Sequence, residues 1–160
     1  MQFVPWRYIA YWRCIGCGKC CSYDVVLNLR EWLTIIRNYG IGQTISGWSE
    51  FLLRRKSDGS CSFLCNFSGA HLCGLQHMKP TACKLWPFRI LDSPKYGYAN
   101  EAMYKYGENR TFVYADSSCD GLAYGVPRRE FTNYTLKEFV EIAMGLRSHQ
   151  YKTTRDIRSL

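Results

Sequence analysis

Cys14-Ile15-Gly16-Cys17-Gly18-Lys19-Cys20-Cys21 places four of the chain's nine cysteines within eight residues. Core packing has no use for thiols at that density. Two thiols separated by two residues can turn back and grip one metal ion or one cluster, so the stretch reads as a metal-binding knuckle. Gly16 and Gly18 permit the left-handed backbone and close approach that a chelating turn needs. Cys14, Cys17 and Cys20 have the C-x2-C-x2-C spacing that holds three corners of a 4Fe–4S cluster, completed by a distant cysteine. The same residues can place two ligands on zinc, and spacing does not choose. In an extended chain Cys20 and Cys21 point in different directions. The four thiols are therefore expected to serve two neighbouring sites, or one site and its shell.

The rest of the composition agrees with a metal protein. With 160 residues, the expectation is one domain over residues 1–146 and a basic tail over 147–160. A chain of this size buries roughly 70% of its unfolded surface. A metal would then clasp a fold that already has a core. The formal charge is +8 with neutral thiols. Eight thiolates on two divalent ions would lower that to about +4, which weakens the case for nucleic acid from charge alone. Disulfides fit poorly: the cysteine count is odd, Cys20 and Cys21 are adjacent, and Met1 is followed by QFVPWRYIAYW, which lacks a basic start running into an apolar stretch. The expected setting is cytoplasmic, and no run approaches the roughly 18 apolar residues of a membrane span.

Periodicity predicts a mixed α+β domain with a short antiparallel sheet, two main helices and long irregular loops. Phe3 to Trp12 reads as an edge strand, or as an arm that displays Trp6, Tyr8 and Trp12. Tyr23 to Leu27 reads as a strand. Asn28 and Glu31 form a capping box before a helix with Leu29, Trp32, Leu33 and Ile36 on its core face, ended by Gly40. Gly42 to Glu50 is loop or a short helix, Phe51 to Lys56 a strand with a basic end, and Asp58-Gly59 a hairpin-type turn just before Cys61. Cys61 to Phe88 reads as mostly irregular chain. Tyr96 to Tyr106 and Thr111 to Asp116 pair around Gly107 to Arg110. Thr135 caps a last helix, with Glu138 at the capping-box position and Leu136, Phe139, Val140 and Ala143 on one side. The tail from Arg147 is expected to be frayed or extended and available to a partner.

The later cysteines bring in a resemblance. Cys61-Ser62-Phe63-Leu64 follows the knuckle. Cys73 is followed by Pro80 at the seventh place and Cys83 at the tenth, then Trp86-Pro87-Phe88, and Cys119-Asp120-Gly121 comes last. This ordered set resembles the YkgJ-type cysteine-cluster family, whose CxxCxxCC domain is associated with zinc or iron. The resemblance implies a metal held by Cys14, Cys17, Cys20, Cys21, Cys61, Cys73, Cys83 and Cys119. Cys65 is extra to the pattern: a further ligand, a buried thiol, or a sign of a rewired site. Lys79 and Lys84 stand where the family tends to carry arginine, which removes bidentate contacts expected there. The resemblance also implies a loose link to protein N-methylation. His71 and His77 lie among the ligands, yet without a spacing partner they read as surface loop residues, and His149 as solvent-facing. Asp116 and Asp120 read as turn residues, or as groups supporting Cys119.

Three functions are compatible with these residues. The first is a metal-cluster protein, with an iron–sulfur cluster (4Fe–4S) ahead of zinc, serving electron transfer, redox sensing or structural support. The second is a zinc-stapled interaction module or subunit of a larger complex. Its partner is a protein, or nucleic acid met by Trp6, Tyr8, Trp12, Arg54, Arg55, Lys56 and the tail. The third is an oxidoreductase or methyltransferase component, suggested by resemblance alone, since no acid, base and nucleophile form a catalytic set.

Overall fold

A computed structural model describes residues 3–76 and 78–150. In chain order its strands are β1 (Phe3–Pro5), β2 (Ile9–Trp12), β3 (Val26–Leu27), β4 (Thr44–Ser46), β5 (Phe51–Leu53), β6 (Leu64–Phe67), β7 (Ala70–Cys73), β8 (Phe88–Leu91), β9 (Met103–Tyr106), β10 (Asn109–Asp116) and β11 (Leu122–Tyr124). Its α-helices are α1 (Leu29–Tyr39), α2 (Thr81–Leu85), α3 (Ala99–Ala102) and α4 (Lys137–Ala143), the last preceded by a π-helical stretch, Phe131–Leu136. The expected α+β class holds, with short antiparallel sheets and two principal helices. Contacts divide the chain into two units: one from the chain up to Ile15 together with the chain from Lys84, the other from Gly16–Cys83.

The first unit is built on β10. Its residues pair antiparallel with β1, β8 and β9. β2 pairs instead with β11. The predicted single strand from Phe3 to Trp12 is thus two strands in different sheets, broken by a 3-10 turn at Trp6–Tyr8. Trp6 and Trp12 are each 8% exposed and belong to the core with Ile9, Phe88, Val113, Phe131, Leu136, Phe139 and Val140. They are not displayed on an arm; of the three aromatics only Tyr8 is exposed. Each indole nitrogen finds an acceptor, as buried tryptophans require: Trp6 donates to the Met103 carbonyl at 3.1 Å and Trp12 to Cys119 Sγ at 3.3 Å.

The last helix begins earlier than Thr135. Thr132 N already donates to the Arg128 carbonyl at 3.1 Å, and Phe131 is drawn into the core. Thr135 therefore lies inside the helical run and caps nothing, while Leu136, Phe139 and Val140 are buried as predicted. The first residues of the tail are anchored. Arg147 pairs with the buried Glu138 and Glu141 at 3.3 and 2.6 Å, and Gln150 Nε2 donates to the Lys84 carbonyl at 2.8 Å. The rest of the predicted tail, 151–160, lies outside the described residues.

The second unit carries α1. Asn28 Oδ1 accepts from Glu31 N at 2.9 Å, and Glu31 Oε2 accepts from Asn28 N at 3.1 Å, so the predicted capping box is present. Gly40 closes the helix. Its inward face is not the one periodicity selected: Ile35 is buried, whereas Leu29 and Leu33 are 57% and 45% exposed. The sheet β3-β5-β4 sets this rotation. Trp32 turns toward it, stacking on Phe51 at 4.4 Å and donating to Thr44 Oγ1 at 3.1 Å. The segment from Cys61 to Phe88 is also more regular than predicted, since β6 and β7 form a hairpin.

Candidate metal centre

The knuckle leads into a 3-10 turn, Lys19–Ser22, entered through Gly18 at φ 76. This turn overrides the extended-chain argument: it brings Cys20 Sγ and Cys21 Sγ to 3.9 Å. Their surroundings still differ. Cys21 packs with Cys73 and Cys83 against an apolar cluster that contains Cys61, Val25, Leu27, Ile35, Leu53, Phe63 and Leu75. Cys20 is half-buried and is not one of that cluster's members.

Each of these four thiols arrives on a different element. Cys21 comes from the knuckle turn. Cys61 follows the predicted Asp58-Gly59 turn, closed by Lys56 N donating to the Ser60 carbonyl at 2.7 Å, and its own N–H donates to the Cys21 carbonyl at 2.8 Å. Arg55 braces this region, bonding Asp24 and the Gly59 carbonyl, each at 2.7 Å, and also the Ser22 carbonyl. Cys73 ends β7. Cys83 rides on α2, whose start is held by Glu31: Oε1 accepts from both Thr81 N and Thr81 Oγ1 at 2.7 Å. The helix cap of α1 thus holds the start of the helix that carries Cys83, through a contact fifty residues away at Thr81.

Electrostatics mark the thiols as one group. Burial raises Cys61, Cys73 and Cys83 above the ordinary thiol range, and neighbouring thiols add to it. Within the adjacent pair, Cys20 is lowered to about 7 because Cys21 donates a hydrogen bond to it, with help from the Lys79 charge. Cys21 is raised by the same bond and by burial. Backbone N–H groups of Phe63 and Leu75 favour the thiolate forms of Cys61 and Cys73. Lys79 is only 8% exposed, and no carboxylate pairs with it among the described residues. Its charge reaches Cys20, Cys73 and Cys83.

The donor set fits a thiophilic metal. Four sulfurs from four segments share one apolar cluster, a buried cation stands beside them, and buried polar atoms nearby lack partners. Among the described residues of the same unit those orphaned atoms are Ser62 Oγ, His71 Nδ1 and Gln76 Nε2, all between Cys61 and Cys83 in the chain. No three His, Cys, Asp or Glu side chains among the described residues already stand at metal-ligand spacing. Loading would therefore draw the thiols inward, as expected where metal binding and folding are coupled.

The remaining predicted ligands are not members of that apolar cluster. Cys17 is a half-buried knuckle residue of the second unit. Cys14 and Cys119 belong to the first unit and pack against its core. There Arg13 N donates to the Gly121 carbonyl at 3.0 Å, and a Cβ on Gly121 would stand 2.2 Å from the Arg13 carbonyl oxygen. Only glycine permits that approach. Asp116 does the turn work expected of it, with Oδ1 accepting from Ser118 N and Oγ at 3.0 and 2.6 Å. Cys65 is exposed on β6 and faces the Phe63 carbonyl at 3.7 Å. His71 sits in β7 and not in a loop, while His77 lies outside the described residues. Sequence reasoning noticed Lys79 only as a departure from arginine. Its place beside Cys73 and Cys83 in the chain was the available signal.

No helix among the described residues is long and apolar enough to cross a membrane. Neither a curated protein nor a solved structure matches the chain. A family model described as CxxCxxCC, "Putative zinc- or iron-chelating domain", matches residues 13–120. The match takes in the knuckle and all four clustered thiols and covers more than half of the chain. The chain belongs to the CxxCxxCC family of zinc- or iron-chelating domains.

Proposed function

We propose that Cys21, Cys61, Cys73 and Cys83 hold one metal centre as thiolates, and that this centre clasps the knuckle, the β6–β7 hairpin and α2 into one folded unit. The observation that carries the reading is the meeting of four thiols from four segments in one apolar cluster beside Lys79, a buried cation without a carboxylate partner among the described residues. A buried ammonium needs a counter-charge. Neutral thiols supply none, whereas four thiolates on a divalent ion leave a net charge of about −2. A closed four-thiolate set has no vacant position and suits structural support. Zinc is the first candidate.

An iron–sulfur cluster uses the same residue type and would add electron transfer or redox sensing; the C-x2-C-x2-C spacing is what favours it. Purification without oxygen followed by metal and sulfide analysis separates the two. A colourless protein with stoichiometric zinc supports the zinc clasp. A coloured protein with iron and sulfide supports the cluster, and a folded, metal-free protein that takes up neither metal refutes both.

A second reading, an interaction module, draws on the first unit. Trp6, Arg7, Tyr8, Gly125, Val126, Pro127 and Thr132 line a concavity of about 680 Å³. Arg7 lies over the Trp6 ring at 5.4 Å, Arg128 lies over Tyr11 at 4.6 Å, and Tyr8, Tyr98 and Tyr124 are exposed around them. Stacking rings with adjacent guanidiniums suit single-stranded nucleic acid. Salt-sensitive binding of an oligouridylate, weakened by Tyr8→Ala, supports this reading; no retention at low salt removes it.

A further inference from the structure

The outer side of α1 has apolar residues that the core of its own unit does not use. Leu29, Leu33 and Ile36 follow i, i+4 and i+7 and so share one side of the helix. Ile36 is half-buried, but Leu29 and Leu33 are mostly in solvent. Helical periodicity sets Arg30 and Arg37, two turns apart, beside this stripe on the side away from buried Ile35. Both arginines are exposed, and neither has a carboxylate partner among the described residues. The only acid of the helix, Glu31, is committed to the cap and to Thr81.

The sheet β3-β5-β4 adds an aromatic residue at one end of this helix. Leu27 and Ser46 both pair with Phe51. The β4–β5 turn, residues 47–50, therefore leaves the sheet at the level of Asn28, where α1 starts. Gly47 N donates to the Glu50 carbonyl at 2.9 Å and closes the turn. Trp48 projects from it at 109% exposure, as open as a side chain in a free peptide. Of the five tryptophans it alone is exposed. Glu50 is the turn's one carboxylate, so two arginines stand against one acid at this surface.

We propose that the outer stripe of α1 and Trp48 form a docking surface for an anionic phospholipid membrane, on which the chain sits peripherally. Leu29, Leu33 and the indole enter the boundary between head groups and acyl chains, while Arg30 and Arg37 meet the lipid phosphates. Charge and chemistry select this occupant. A second copy of the helix would set arginines against arginines. Nucleic acid would answer the arginines but leave the leucines in water. An anionic lipid surface supplies the counter-charge and the apolar phase together, and it yields to a projecting indole.

The full chain is mixed at low salt with vesicles of equal parts phosphatidylserine and phosphatidylcholine, and with vesicles of phosphatidylcholine alone. Binding is read by co-sedimentation and by tryptophan emission. The expected result is binding to the anionic vesicles, weakened as salt rises, with a blue shift from Trp48. Trp48→Ala should remove the shift and weaken binding. Arg30→Glu together with Arg37→Glu should weaken binding by at least about tenfold. Lys105→Glu together with Arg110→Glu changes the net charge equally at an exposed cross-strand pair of β9 and β10, and should bind as the wild type does. No binding to anionic vesicles at low salt overturns the proposal. Equal weakening by the Lys105 and Arg110 pair also overturns it, because net charge alone then explains the attraction. Binding with no shift from Trp48 does the same. An acidic, leucine-rich helical peptide that binds through Leu33 and Arg37 while the vesicles do not would assign the face to a protein partner instead.

Discussion

Lys79 ties the chemistry of the centre to a single side chain. Its ammonium is buried and its charge acts on three thiols. Replacing it by methionine keeps the volume and removes the charge. A unit charge several ångströms away at an effective dielectric of about 20 is worth on the order of 1–3 kcal/mol. Lys79→Met should therefore weaken metal binding by roughly 10- to 100-fold in a chelator competition, and Lys79→Arg should retain most of the affinity. Equal affinity in all three proteins would rule out the counter-charge role. The thiols themselves make stability depend on pH. Cys61, Cys73 and Cys83 are raised by burial, while an unfolded thiol titrates near about 8.5. The folded, metal-free chain thus holds these protons more tightly than the unfolded chain. That contribution is present below about pH 8.5 and is lost as pH rises toward the folded values. Urea unfolding of the metal-free protein should show lower stability at pH 9.5 than at pH 7.5. Metal binding runs the other way, because thiolates must replace thiols, so affinity rises with pH.

At the scale of elements, α1 is both a packing helix and a support for the centre. Glu31 completes the capping box and also receives both donors of Thr81 at the start of α2. Glu31→Ala removes about 1 kcal/mol of capping and a charge-assisted bond worth about 1.5–3 kcal/mol. The expected loss is roughly 2–4 kcal/mol in urea titration, with weaker metal retention because Cys83 rides on α2. A loss confined to helix content, with metal affinity intact, would show that the Thr81 link does nothing for the centre. The first half of this arrangement was legible in the sequence, since Asn28 and Glu31 are local partners three residues apart. The second half was not, because a contact fifty residues distant leaves no periodic mark. The same distinction explains other differences. The knuckle was legible because chelating spacing is local. The rotation of α1 was not, because it is set by the sheet that Trp32 and Ile35 meet, and five apolar residues offer more than one face. The β6–β7 hairpin does carry a local signal: Ser68-Gly69 adopts φ 48 and 78, the left-handed pair of a tight hairpin turn. The cysteines and prolines around it suggested irregular chain. Trp6 and Trp12 fit either a packed strand or a displayed arm in the sequence, because aromatic content suits cores and surfaces alike; tertiary packing decides for the core.

Across the whole molecule, the two units have separate cores and need the metal unequally. The Gly16–Cys83 unit has a buried cluster whose residues include one of the thiols, and three more cysteines are packed against it. Below about 70–80 residues a single core supplies only about 3–5 kcal/mol, and small folds of that size usually rely on a metal or disulfides. With neutral thiols and the buried Lys79 at its centre, this unit should depend strongly on an ion that converts the thiols to thiolates and so supplies the missing counter-charge. The other unit gathers, among the described residues, eleven buried core residues around β10 and the last helix, and β10 is paired along both edges. Chelation of the purified protein should therefore raise amide hydrogen exchange in β5, β6, β7 and α2 by at least about tenfold, while Val113 to Ala115 in β10 keep most of their protection. Cys73→Ser should reproduce that pattern without chelator, because it removes one of the four thiolates and leaves the β10 core untouched. Equal loss of protection in β10 would mean that the metal stabilises the entire chain as one cooperative body. No change anywhere would mean that the four thiols pack without clasping, and the proposed structural role would fall with it.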